Sequence, residues 1–316
     1  MNPYIYEIEP TNHCPYKCIM CPRGLGRMRR SAGFMKMDTF SSLIKQFPVN
    51  QKLVRLHHFG EAVLHPEIDT MIRMVADVGL VSVLSVNPAT LSSALIQKLI
   101  KSGIHIICFS LDALSDDGLL QIRGIKRSFK ECWAIIEEFI RISRESGVSV
   151  LKIIQMVRLK HNEDDREEFW KIKNKYPESD VYLYLTENYG FGDVNLIEKT
   201  TPGGSAYISS GCRSCGAPFS EVSILWNGDV VLCCYDYDGF NIIGNVHEKS
   251  LSEIWHDIKV NEVRRLFRSG QSWKLPLCAG CFQAPHNFSE KQDFTRKGYE
   301  EESVILNIFD KRNPMG

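Results

Sequence analysis

Six runs of aliphatic and β-branched residues, each followed by a stretch with helical periodicity, constrain this chain more than any other feature. YIYEIE at 4–9, LVRLHHF at 53–59, LVSVLSV at 80–86, IHIICFSL at 104–111, VSVLKIIQMV at 148–157 and VYLYL at 181–185 are nearly continuous in hydrophobicity. Strands of that kind are buried on both faces, as in a parallel sheet covered by helices. Helical stretches follow near Pro66, across LSSALIQKLI, over 128–146 and near 163–175, with N-caps expected at Asp38, Ser92 and Ser128. Six βα units predict an α/β fold, a parallel barrel or partial (β/α)6 barrel, with its chemistry in the loops at the C-terminal strand ends. The notable polar residues fall there: Cys14 to Cys21 after the first strand, Gly60-Glu61 after the second, Asn87 after the third, Ser110 and Asp112 at the fourth.

The pattern changes near residue 187. GFGDVNLIEKTTPGGSAYISSG is rich in Gly, Ser and Thr and reads as a linker or extended loop. EVSILWNGDVVLCC then reads as a hairpin turning at Asn227-Gly228, followed by a helical stretch near 250–268 and by CAGC. The expected organisation is a barrel over 1–186, a linker over 187–210 and a small C-terminal domain over 211–316 containing a β-hairpin and a helix.

The 38 basic and 38 acidic residues cancel, which disfavours a generally basic nucleic-acid binder. No apolar run approaches the ~20 residues of a membrane span. The start, MNPYIYEIEPTNHC, has no basic segment leading into an apolar one, so the expectation is a cytoplasmic protein away from membranes. Eleven cysteines are an odd number for a disulfide framework, and they cluster. Cys14, Cys18 and Cys21 crowd the start, and Cys212, Cys215, Cys233, Cys234, Cys278 and Cys281 fall in the last third. Cys108 and Cys132, between them, are assigned to packing.

Cys14, Cys18 and Cys21 have the spacing C-x3-C-x2-C within one loop. Three local thiolates would hold three irons of a cubane cluster and leave the fourth open to chelate a substrate or cosubstrate. The competing readings are a zinc site borrowing His13, or buried thiols without metal.

TNHCPYKCIMCPR after the first strand, with FGEAVLHPE after the second, resembles the radical S-adenosylmethionine (SAM) superfamily over roughly residues 4–186. The resemblance implies that Cys14, Cys18 and Cys21 hold a 4Fe–4S cluster whose open iron chelates SAM. Reductive cleavage of SAM then yields a 5′-deoxyadenosyl radical that abstracts hydrogen from substrate, with an external donor such as flavodoxin or ferredoxin supplying the electron. Met20 matches the position that packs near adenine, where an aromatic residue is common. Gly60 and Glu61 match a Gly-Gly-Glu stretch at the methionine amino group, with Phe59 in place of the first glycine. Asn87 stands where Thr-Asn-Gly is common, Ser110 and Asp112 where residues approach the ribose, and Arg123 and Gln155 are weaker matches. Each of these polar residues also has a plainer reading as a cap or turn residue.

The C-terminal region, about 210–285, resembles the SPASM/twitch extensions that carry auxiliary clusters, in the shorter form with one 4Fe–4S cluster. The whole arrangement is most similar to the group around deoxy-scyllo-inosamine dehydrogenase. On that resemblance Cys215, Cys233, Cys278 and Cys281 complete a closed set of four ligands. A zinc reading instead pairs Cys212 and Cys215 with Cys278 and Cys281, and leaves Cys233 and Cys234 unexplained. Gly228-x4-Cys spacing favours Cys233 over Cys234 as ligand. Cys212 and Cys234 are left over, as buried small side chains or as hydrogen-atom donors of the kind some radical SAM epimerases use.

Arg23, Arg27, Arg29, Arg30 and Lys36 lie in 23–36 without an acidic residue between them. This is either a solvated loop or a recognition surface for an anionic small-molecule substrate. Strand parity places Arg55 and His57 on the face of Glu61, as it would Glu7 and Glu9 if their face points inward, and Tyr182 with Tyr184. The expected function is oxidation of a sugar or cyclitol carbinol with the auxiliary cluster as electron acceptor. Epimerisation of a sugar or aminoglycoside is the alternative. Peptide modification is a third, disfavoured because no peptide-recognition module precedes Cys14, and a zinc-stabilised binding protein is the non-enzymatic one.

Overall fold

The computed structural model describes residues 2–176, 180–203 and 215–281. Cys212 and the segment beyond Cys281 lie outside the described residues, so the readings that fall on them stay expectations.

The chain alternates as the sequence predicts. β1 (Tyr4–Ile8) leads to α1 (Met37–Ile44), β2 (Leu53–Arg55) to α2 (Ile68–Asp77), and β3 (Val81–Val86) to α3 (Ser93–Lys101). β4 (Ile106–Ser110) precedes α4 (Asp116–Arg123) and α5 (Phe129–Ser146), β5 (Leu151–Arg158) precedes α6 (Asp165–Ile172), and β6 (Val181–Glu187) closes the series. Then come α7 (Val194–Thr200), α8 (Ala217–Ser220), β7 (Glu221–Ile224), β8 (Asp229–Val231), β9 (Ile242–Asn245), α9 (Leu251–Trp255) and α10 (Ile258–Arg268).

The nine strands of the described residues form one sheet, ordered β6-β5-β4-β3-β2-β1-β7-β8-β9. The pairings from β6 through to β7 are parallel, and the β7–β8–β9 pairings are antiparallel. The first six strands make the partial barrel. Ile5, Ile8, Val54, Leu84, Phe109 and Ile154 point outward into a core shared with the helices. A second cluster of Leu53, Val83, Ile106, Cys108, Leu151 and Ile153 lines the inner face with Tyr182 and Tyr184. Arg55 follows Leu53 by two residues and pairs in register with Glu7, so both face the lumen.

Local chemistry sets the helix starts. Ser92 caps α3, and Ser128 forms a reciprocal capping box with Glu131 on α5. The expected cap at Asp38 is corrected: Lys36 is the N-cap of α1, and Asp38 sits in the first turn, where its charge suits the positive helix end. The expected helix near 250–268 divides because Ser250 and Asp257 each cap a new start. The Gly-rich segment after 187 contains α7, capped by Asp193 accepting from the Asn195 and Leu196 amides, so it is partly helical where a linker was expected.

The hairpin forms at Asn227-Gly228 as the turn signal indicates, with Gly228 at φ +86°. Its first strand pairs with β1, which extends the barrel sheet into the C-terminal region. No helix among the described residues is long and apolar enough to cross a membrane.

Candidate active site

The loop after β1 carries the first cysteines, and backbone bonds pin it to the end of α4. The Lys17 and Ile19 amides donate to the Arg123 and Ile122 carbonyls at 3.1 and 2.9 Å. The Cys21 amide donates to the Cys18 carbonyl at 3.1 Å, which turns the loop back so that all three thiols belong to one compact segment. A Cβ at Gly24 would collide with the Cys18 backbone, so only glycine allows this fold. Burial pushes the Cys14 thiol up to about 11 and the Cys18 thiol up to about 12. These thiols are protonated without a cation, and a metal cluster would deprotonate them. Arg123 lies 3.8 Å from the Cys18 sulfur and also pairs with Asp112.

Beside this loop lies a cradle with polar atoms left over. The Glu61 amide donates to the His13 carbonyl at 2.8 Å, which brings β2's extension against the cysteine loop. A Cβ at Gly60 would collide with the Thr11 carbonyl oxygen and stand 2.8 Å from the Asn12 Cα. Glu61 Oε2 accepts from the Asn87 amide at 3.1 Å, but Glu61 Oε1 and Asn87 Nδ2 are buried without a hydrogen-bond partner. Burial, eased by the Asn87 amide and Arg123, raises the Glu61 carboxyl to about 8. An acceptor and a donor left unsatisfied in one buried cradle need an outside ligand, and a zwitterionic amino-acid moiety supplies both an ammonium and a carboxylate. The donor set therefore fits SAM.

The remaining matched positions divide. Met20 is buried against the core beside the cysteines. Ser110 and Gln155 pair in register on the lumen face, with Ser110 Oγ 3.1 Å from Ser85 Oγ and Gln155 Oε1 3.0 Å from the Cys108 sulfur. Cys108 thus lies on the lumen face as well as packing there. Asp112, fully buried at φ +63°, has both oxygens engaged within the chain, by the Val157 amide at 2.7 Å and by Arg123. Its geometry is that of a brace holding Arg123 against Cys18.

The second cysteine set converges. Cys215, Cys233, Cys278 and Cys281 line one apolar cavity with Phe191 and Tyr235. Gly192 closes on it, since a Cβ there would lie 3.0 Å from the Cys281 sulfur. Cys234 is not among the lining residues. Its thiol interacts with Cys233 and feels the carboxyls of Glu7 and Glu221, and its carbonyl oxygen lies 2.8 Å from His58 Nε2.

Phe59, where a glycine is usual, is explained by the same junction. Its buried ring packs against His58, Phe191 and Tyr237 at centroid distances of 4.4, 4.8 and 5.7 Å. It thereby bridges the cradle to the wall of the second cavity. The basic loop belongs to that junction too. Arg27 pairs with Asp193, Arg30 forms a two-pronged pair with Glu9, and the Arg29 and Arg30 amides donate to Asp238 Oδ1 at 2.6 and 2.9 Å. Arg27 and Arg30 thus spend their charge on Asp193 and Glu9, the loop reaches the C-terminal region through Asp238 and the Tyr237 carbonyl, and an anionic substrate loses two of its expected partners.

Comparison with known proteins agrees with this geometry. The model of the radical SAM superfamily matches residues 8–171, and that of the SPASM iron–sulfur cluster-binding domain matches 215–282. An S-adenosyl-L-methionine-dependent 2-deoxy-scyllo-inosamine dehydrogenase from Niallia circulans is 21% identical, covering 91% of this chain and 96% of that protein. A cofactor-modifying protein for tungsten-containing aldehyde ferredoxin oxidoreductase from Pyrococcus furiosus is 23% identical, covering 88% and 86%. Among solved structures, BtrN in complex with AdoMet and 2-DOIA superposes with a TM-score of 0.58 at 19% identity, covering 93% of this chain and 99% of BtrN. SuiB from Streptococcus suis, bound to the precursor peptide SuiA, gives 0.63 at 16% identity, covering 92% and 75%.

Proposed function

This chain belongs to the radical SAM superfamily, and on that premise we propose that it oxidises a carbinol of a small sugar or cyclitol. It is a radical SAM enzyme with a SPASM domain, and it uses a 4Fe–4S cluster, SAM and auxiliary iron–sulfur chemistry. When bound, the first cluster with SAM supplies a 5′-deoxyadenosyl radical that takes hydrogen from a C–H bond, and the auxiliary cluster supplies an electron acceptor. Cys14, Cys18 and Cys21 would hold the first cluster, and Cys215, Cys233, Cys278 and Cys281 a single closed second one. The domain division follows the same line, a barrel over 1–186 and an auxiliary region from 211. Gly60, Glu61 and Asn87 would receive the methionine end of SAM, with Met20, Ser110 and Gln155 nearby.

The observation that carries the reading is the polar part of the inner face of the sheet. Glu7, Arg55, Ser85, Ser110 and Gln155 share the inner face of the sheet, and His57, just past β2, accepts from the Ser85 amide and lies 3.9 Å from Glu7. A face so rich in donors and acceptors suits a substrate with several hydroxyl or amino groups. Such chemistry suits the reducing cytoplasm, with flavodoxin or ferredoxin as electron source.

Epimerisation is the second reading, and Cys234 favours it: it is a thiol next to the proposed ligand Cys233 that does not line the second cavity, and it feels the Glu7 carboxyl. One experiment separates the two. The reconstituted enzyme is incubated with SAM, reductant and a panel of cyclitols and amino sugars, including 2-deoxy-scyllo-inosamine, deuterated at the carbinol carbon. Oxidation puts deuterium into 5′-deoxyadenosine and yields a ketone. Epimerisation yields an isomer carrying solvent hydrogen. Deuterium transfer from no member of the panel overturns both.

A further inference from the structure

One row of residues crosses three neighbouring strands, β2, β1 and β7. Register pairs Arg55 of β2 with Glu7 of β1, and Glu7 with Ser223 of β7. The Arg55 guanidinium lies 4.4 Å above the Tyr6 ring, and Ser223 Oγ is buried without a hydrogen-bond partner. Glu7 is 3.9 Å from His57 Nε2 and 3.6 Å from His58 Nε2, both beyond hydrogen-bond length. Its side chain is 12% exposed, sheltered yet reachable.

Behind Glu7 stands an ordered chain of charge. His58 Nδ1 lies 3.4 Å from Glu9 Oε1, and Glu9, fully buried, is held by Arg30. Burial opposes a charge on His58, but Glu9 and Glu7 outweigh it and raise its pKa.

We infer that Glu7 is the group that takes the substrate's hydroxyl proton during carbinol oxidation, an inference that rests on the function proposed above. In this step the substrate O–H bond breaks, a carboxyl O–H bond forms on Glu7, and the electron pair stays on the substrate oxygen. The substrate's electron count is unchanged. Arg55, beside Glu7 in the row, faces the negative charge that develops, and Ser223 offers the hydrogen bond it lacks within the chain. Burial drives the Glu7 carboxyl up to about 7 against the pull of His58 and Arg55, with Glu221 and Glu9 adding repulsion. Tyr6, Glu9, Arg55, His57, His58, Glu221 and Cys234 are the titratable or charged groups facing it from β1, β2 and its extension, β7 and the segment after β8. His57, lowered to about 3 by burial and by Arg55, is too weak a base near neutral pH and leaves the role to Glu7. A base that titrates near working pH is well matched to such a transfer.

Two measurements on the reconstituted, SAM-loaded chain test this. Infrared pH-difference spectra should show a protonated-carboxyl band with its midpoint near pH 7 that E7Q removes and H57N retains. With the active member of the substrate panel, E7Q should lower kcat by about 10²–10⁴-fold, E7D should recover at least about tenfold, and the acidic limb of the pH profile should shift with E7D. Because the Glu61 carboxyl titrates near 8 as well, the wild-type-minus-E7Q spectrum is the readout: no carboxyl band in that difference, or an E7Q rate within about threefold of wild type, overturns the assignment. A fall in rate without the band makes Glu7 structural and also overturns it. Failure of the function itself reads differently: the wild-type chain then oxidises no carbinol at all.

Discussion

Replacing Arg30 by Met tests how the two halves of the site are held together. Arg30 grips both oxygens of fully buried Glu9, and its Nε donates to the Tyr237 carbonyl at 2.6 Å. Burial alone would push the Glu9 carboxyl up, yet His58, 3.4 Å away, and the hydrogen bonds from Arg30 bring it from its ordinary 4.5 down to about 2. A shift of that size stabilises the fold by about 3 kcal/mol, fully present above pH 4.5 and lost as pH falls towards 2. Met fills much of the volume but leaves a buried carboxylate with His58 and the Phe59 and Trp226 amides and no guanidinium, which costs about 3–5 kcal/mol. For a chain of this size that lowers the anaerobic thermal midpoint by on the order of 10 °C at pH 7. The deficit should shrink towards pH 5, because with Arg30 gone the Glu9 carboxyl rises and its protonation relieves the unpaired charge. E9Q/R30M should be less destabilised than the two single changes sum to. An R30M midpoint within about 2 °C of wild type, or strict additivity with E9Q, refutes the reasoning.

Other outcomes follow from the two cysteine sites. C233A should reduce iron from about eight to about four per chain, whereas C234A should leave it near eight, and the reverse pattern would exchange their roles. In G60A the new methyl meets the Thr11 carbonyl and the Asn12 backbone, which have no flexible end to move aside. Equilibrium binding of SAM to the reconstituted variant should weaken by about tenfold or more, since overpacking against backbone costs about 1–3 kcal/mol. Wild-type affinity would show that Gly60 is not at the cofactor.

The barrel was legible because each strand carries its own signal. A run such as IHIICFSL is buried on both faces wherever it pairs, and Ser128 with Glu131 caps a helix whatever surrounds it. The Asn227-Gly228 turn was legible for the same local reason. What escaped depends on partners far apart in the chain. Nothing near 221 signals that β7 will lie beside β1, and nothing near 27–30 signals that Arg27 and Arg30 will meet Asp193 and Glu9. That is why a basic segment legible only as a solvated loop or a recognition surface holds ion pairs within the fold. The helix inside the supposed linker did have a signal, Asp193 before VNLIEKT, outweighed by the glycines around it. Phe59 read as a bare departure from glycine, and only its contact with Phe191 gives it a place.

The most direct test of the central claim is iron and sulfide content, with electron paramagnetic resonance of the reduced chain with and without SAM, in wild type and in the Cys14/Cys18/Cys21 triple alanine variant. The account predicts about eight irons and eight sulfides in wild type, with one of two signals shifted by SAM. The variant should keep about four irons, lose the SAM-sensitive signal and form no 5′-deoxyadenosine. SAM cleavage that persists in the triple variant, or zinc in place of iron at both sites, would contradict it.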